Sequence, residues 1–126
     1  MSDSLGPCLR GVLLAMIVAD EDVDPDEVIA AEKAYAEFTG QALPDGELAR
    51  DANEARSLGR SSQTMLACLP SDLEQETQAK VLTAAFRVAS ADGFVLEEED
   101  ELLRAVAKAI GMGEDQTRTV LGGLMG

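Results

Sequence analysis

The chain has 126 residues, enough for one domain and too few for two. Apolar residues make up 46% and charged residues 27%, the balance of a folded globule; aromatics are only 3% and Trp is missing, so the core must come from Leu, Val, Ile, Met and Ala. Twenty-four acids against ten bases give a net charge of −14, which repels nucleic acid and anionic membrane and suits a cation or a basic protein face.

The chain contains no His, which excludes His general-base chemistry, Ser-His or Cys-His nucleophile pairs and His-ligated zinc. Cys8 and Cys68 lack CxxC spacing. Each sits in an apolar helical register and reads as a small core residue in a reducing compartment, with a bridge between them left open. The start of the chain carries Asp3 and no base before Arg10, the reverse of a secretory leader. No run of 18 apolar residues occurs, so a cytoplasmic location without direct membrane insertion is expected.

Leu5, Cys8, Leu9, Val12, Leu13, Met16 and Ile17 recur at helical spacing, and Leu14 and Val18 widen the stripe into a largely buried first helix ending near Asp20. Asp24-Pro25-Asp26-Glu27 predicts the next helix start, with Asp24 as N-cap, Pro25 at N1 and Glu27 completing a capping box. Its apolar face runs through Val28, Ala31, Tyr35 and Phe38 to a closing Gly40. Pro44-Asp45-Gly46 is a turn. Leu48, Ala52 and Ala55 then give a thin stripe for a third helix, broken near Gly59 and Ser61-Ser62. Met65, Leu66, Cys68 and Leu69 form a short apolar turn before Pro70.

Ser71-Asp72-Leu73-Glu74 reads as a second capping box, opening a helix through Val81, Ala84, Ala85, Val88 and Ala89 to a turn at Asp92-Gly93. Glu97 to Glu101 start another helix, with acids in its first turn, a core face of Leu102, Leu103, Val106 and Ile110, and an end at Gly111 to Gly113. Thr117, Val120, Leu121 and Leu124 give a short final helix, with Gly122-Gly123 expected to fray or bend it. Met65, Met112 and Met125 read as gap fillers. No strand pattern appears.

Shifting the chain by 72 residues places Ala19-Asp20 on Ala91-Asp92, Val23 on Val95 and Glu27 on Glu99, with hydrophobic agreement at Met16/Val88, Ala31/Leu103 and Phe38/Ile110. Each copy reads as buried helix, A-D-x-x-V-x-x-x-E, amphipathic helix. The expected architecture is all-α: one compact bundle over 1–126, of six to seven helices, built from two αα-hairpin repeats at about 5–40 and 72–112.

Half of the acids fall at the two bends: Asp20, Glu21, Asp22, Asp24, Asp26 and Glu27 in one, Asp92, Glu97, Glu98, Glu99, Asp100 and Glu101 in the other. Such crowded carboxylates repel one another unless a cation, dipole or base offsets them. Oxygen donors without Cys or His suit Ca²⁺, Mg²⁺ or Mn²⁺ rather than Zn²⁺ or Cu²⁺. Asp20-x-Asp22-x-Asp24 opens like an EF-hand, but Pro25 stands where Gly is needed and Ala31 where the last Glu belongs. The second bend fails earlier, with Phe94 and Leu96 at ligand positions.

Val88-Ala89-Ser90-Ala91-Asp92-Gly93-Phe94-Val95-Leu96-Glu97-Glu98-Glu99 resembles the TerB-like family, the helical domain of tellurite-resistance proteins, which is itself similar to the N-terminal region of DjlA-type co-chaperones. The stretch Ile17–Glu27 resembles it as a degenerate copy, departing at Glu21 where the family has Gly. The resemblance covers nearly the whole chain. It implies an all-helical domain of two hairpin repeats, acids that bind a divalent metal, and a role in stress-response assemblies near the membrane, without an established reaction. Carried over by position, the metal-binding acids are Asp20, Glu27, Asp92 and Glu99, with Asp22, Asp24 and Glu98 secondary. With no J domain in the chain, a direct co-chaperone role is not expected.

Taken singly, Asp20 and Asp92 also suit helix-ending turns, and Glu27 and Glu99 suit helix caps. Glu97, Glu98, Asp100 and Glu101 also suit a solvated face. Three functions are therefore compared. The first is a non-catalytic module binding a divalent cation and docking protein partners, with no organic cofactor. The second is an acidic protein-binding adaptor with no metal site. The third is a metal-assisted hydrolase, disfavoured for want of a phosphate-cradling loop or any base but carboxylate.

Overall fold

The computed structural model describes residues 5–19, 25–67, 69, 73–91 and 97–125, and these form seven helices with no strand among them. They are α1 (Leu5–Val18), α2 (Pro25–Thr39), α3 (Glu47–Ser57), α4 (Ser62–Ala67), α5 (Gln75–Ala89), α6 (Glu97–Ala109) and α7 (Glu114–Met125). The all-α expectation holds.

The apolar stripe of α1 is wide enough to bury nearly the whole helix: Leu9, Val12, Leu13, Ala15 and Ile17 have no exposed surface. Such a helix must sit at the centre. It packs against α5, whose Val81, Leu82, Ala84 and Ala85 are equally buried. Helices α2, α3 and α4 lie on α1, while α2, α6 and α7 lie on α5. The alanines and glycines let these axes approach closely. A Cβ on Gly6 would stand 3.3 Å from the Tyr35 hydroxyl, and one on Gly11 would stand 3.2 Å from Leu69 Cδ2.

Helices α2 and α6 begin at Pro25 and Glu97, the offset of 72 found in the sequence. The paired positions agree in burial at some places and not at others, Phe38 being half-buried where Ile110 is fully buried. Met16 and Val88 are buried, Ala31 and Leu103 are fully buried, and Phe38 packs on the core as the fully buried Ile110 does.

The helix ends follow backbone chemistry. Gly40 takes φ 75° and returns its N–H to the Ala36 carbonyl at 2.9 Å, an αL cap that a side chain would strain. Gly111, at φ 89°, closes α6 with a Schellman pair: its own N–H bonds the Lys108 carbonyl at 3.1 Å, and the Met112 N–H bonds Ala107 at 2.9 Å. Met112 is buried, as expected of a gap filler. The Pro44 to Gly46 turn is closed by the Glu47 N–H on the Pro44 carbonyl at 3.1 Å.

Two expectations are corrected. The capping box at Ser71 does not open α5, which starts at Gln75 with Glu74 as an N-cap making no side-chain bond. Leu73, packed against the core, holds the entering chain just ahead of the helix. Gly122 and Gly123 do not fray the last helix, since α7 continues to Met125. Leu121 and Leu124 pack on the core on either side of the glycines and outweigh their low helix propensity. Cys8 is buried and free, so it is the small core residue expected, and burial pushes its thiol pKa above the ordinary value. Cys68 and the side chain of Met125 lie outside the described residues.

Candidate functional site: the acidic helix starts

Of the four acids singled out, the structure describes Glu27 and Glu99. Both are the third residue of their helices, α2 and α6. At that position a carboxylate lies within the first turn, where unsatisfied N–H groups and the helix dipole favour negative charge. Their surroundings differ. Glu27 is only 8% exposed, an unusual burial for a carboxylate, whereas Glu99 is half-buried. Asp20, Asp22, Asp24 and Asp92, together with the side chain of Glu98, lie outside the described residues. Asp26 is exposed. Asp100 accepts a hydrogen bond from Arg104 Nε at 3.0 Å, a pair one turn apart on the surface of α6. Among the described residues, no group of three or more Cys, Asp or Glu side chains stands close enough to share a metal ion. Glu27 and Glu99 alone therefore do not make a site, and any shared ion would need donors from the two bends.

Carboxylate oxygen is a hard donor, and with His absent the set fits Ca²⁺, Mg²⁺ or Mn²⁺ in kind. A model of the family described as tellurite resistance protein TerB matches residues 9–120. The chain belongs to the TerB family. The match includes both acidic bends and all of α2 to α6, so the TerB fold and the acid-bearing helix starts come from one continuous domain model. No curated protein and no solved structure matches the chain.

Away from these helix starts the TerB scaffold is tied by polar contacts that spacing did not reveal. Arg10, the one charged residue of α1, reaches α3: Nη1 lies 3.0 Å from Glu47 Oε2, and Nη2 donates to Asp51. The hydrogen bond to Asp51 and the charges of Glu47 and Asp51 hold the guanidinium pKa above its ordinary value, against a desolvation that lowers it. Arg87 of α5 pairs with Glu37 of α2 and stands 5.0 Å above the Phe38 ring centre. Buried Gln78 of α5 donates from Nε2 to the Ile110 carbonyl at 3.0 Å and accepts at Oε1 from Gln116 Nε2 at 2.9 Å. The signals were present in the sequence: a lone Arg in an apolar helix, and a Gln on the stripe that continues through Val81, Leu82, Ala85 and Val88.

No helix among the described residues is long and apolar enough to cross a membrane. The most apolar, α1, has 14 residues, about 21 Å at 1.5 Å per residue, against a hydrocarbon core of about 30 Å.

Proposed function

We propose that this TerB-family chain is a non-catalytic module that binds a divalent cation of the Ca²⁺, Mg²⁺ or Mn²⁺ class and docks protein partners in a stress-response setting in the cytoplasm. Asp20, Glu27, Asp92 and Glu99 are the proposed ligands, with Asp22, Asp24 and Glu98 beside them. One observation carries the reading: Glu27 and Glu99 occupy the same third position of two helices whose starts are 72 residues apart, each with five further acids close to it in sequence. The family membership supports it. The cation would offset carboxylate repulsion that the helix dipole alone, effective over one turn, leaves standing.

Calorimetric titration of the chain with each cation tests this, before and after Asp92→Asn. Heat in the parent and its loss in the variant are expected; a silent parent, or a variant that still binds as the parent does, refutes the metal claim. The net charge of −14 favours a second reading, an acidic adaptor without metal. Its mark is partner capture that survives chelator and fails in high salt.

A further inference from the structure

Helices α4 and α6 pack against each other and leave between them an open groove of about 510 Å³, lined by Gln63, Leu66, Ala67, Leu69, Ala105, Lys108 and Ala109. The floor is apolar, and among the described residues Lys108 is the one charged residue in the lining. Both walls come from stretches without a single acid: residues 55–71 and 102–113 hold no Asp or Glu but contain Arg56, Arg60, Arg104 and Lys108. Residues 4–19, 77–91 and 116–126 are also without acids, so what marks the groove is Lys108 itself, an exposed cation beside an apolar floor. The acids of α6 stop at Glu101, before Ala105, where α6 first lines the groove.

We propose that this groove docks an amphipathic helical segment of a partner protein, with aliphatic side chains on the Leu66, Leu69, Ala105 and Ala109 floor and a carboxylate at Lys108. The small residues Ala67, Ala105 and Ala109 leave room for large side chains from outside, the usual arrangement of a helix-in-groove site. The charge sorts partners. The −14 chain favours basic ligands at long range, whereas local chemistry here favours an acidic one. At about 150 mM salt, screening over about 8 Å suppresses the long-range field and leaves the local contact in control. The metal reading plays no part in this, and Asp92→Asn leaves groove binding unchanged.

The test uses the full chain and three synthetic 16-residue helical peptides. They share one leucine stripe and differ only in flanking Glu, Gln or Lys, with affinity read by fluorescence anisotropy and placement by amide shift mapping. Expected are the affinity order Glu, Gln, Lys, and shifts confined to α4, Leu69 and the last two turns of α6. Lys108→Glu weakens the Glu peptide about 10-fold and reverses the order, since an exposed attraction becomes a repulsion. Ala105→Gln, a neutral bulk on an exposed helical position, weakens all three, and unchanged circular dichroism checks that both variants fold. Equal affinity for the Glu and Gln peptides overturns the proposal. So does the Lys peptide binding best at this face, shifts elsewhere, or self-association of the chain through this groove in sedimentation.

Discussion

Gln78→Leu tests how α5 is tied to the end of α6. The Schellman turn at Gly111 satisfies the Lys108 and Ala107 carbonyls, and the Ile110 carbonyl is bonded by Gln78 Nε2 at 3.0 Å. A carbonyl only accepts, which fixes the orientation of the Gln78 amide and leaves Oε1 for Gln116. Leucine keeps the volume and the burial but removes the donor. A buried carbonyl left without its partner costs about 1–3 kcal/mol, and the added apolar surface returns part of this, so a net loss of about 1–2 kcal/mol is expected. Gln78→Ala loses about 1 kcal/mol more through the missing methylenes. Gln116→Ala costs less than about 1 kcal/mol, since Gln116 is half-buried and the Gln78–Ile110 bond survives. Urea unfolding followed by circular dichroism reads these values as a lower midpoint at constant slope, and for a chain of this size a thermal midpoint lower by roughly 5 °C accompanies the Leu variant. Gln78→Leu equal to or more stable than the parent, at the same slope, refutes the assignment of Gln78 as the cap of α6.

Arg10→Ala should cost about 0.5–1 kcal/mol, because the side chain is 37% exposed and its pairs are screened; the double-mutant cycle with Asp51→Ala should show a coupling that shrinks as salt rises, and no coupling refutes the α1–α3 tie. The raised Cys8 pKa carries a definite sign: the folded state favours the protonated thiol, so its contribution is complete below the unfolded pKa of about 8.5 and is lost as pH rises through the higher folded value. In a Cys68→Ala background, the stability advantage of Cys8 over Cys8→Ala should therefore narrow between about pH 7 and pH 10, and a constant or widening gap contradicts the burial of the thiol.

Local rules made most of the fold legible. The unbroken stripe from Leu5 to Ile17 implied a central helix, Pro25 marked the first residue of α2, and Gly40 and Gly111 marked its end and that of α6. Where the reading failed, tertiary packing overrode a local signal. Ser71-Asp72-Leu73-Glu74 has the composition of a cap, yet Leu73 is drawn to the core and the helix waits until Gln75. Gly122-Gly123 has the composition of a break, yet Leu121 and Leu124 clamp the helix across it. The third-position placement of Glu27 and Glu99 was legible because helix starts obey short-range rules. The burial of Glu27 was not, since it depends on what the rest of the bundle lays over α2. Arg10 and Gln78 find partners 41 and 32 residues away, beyond any spacing rule.

The distribution of charge bears on the functional reading. Acids occupy the first turns of several helices: Asp26 and Glu27 in α2, Glu47 in α3, Glu76 in α5, and Glu114 and Asp115 in α7. There the dipole stabilises each nearby carboxylate by about 0.3–1 kcal/mol and fades beyond the turn. One or two acids per helix start need no further cause. The bend before α2 adds Asp20, Glu21, Asp22 and Asp24, and α6 begins with Glu97, Glu98, Glu99, Asp100 and Glu101 in succession, with Arg104, which pairs with Asp100, as the single basic residue of the sequence within one turn of them. Capping accounts for Glu27 and Glu99 but not for their crowd. If solubility alone explained the excess, acids should be spread over every exposed helix, and α4, with Gln63, Thr64 and Ala67 exposed and no acid at all, shows that they are not. Concentration at two ends and absence from a groove are what separate sites for a cation and for a carboxylate would require.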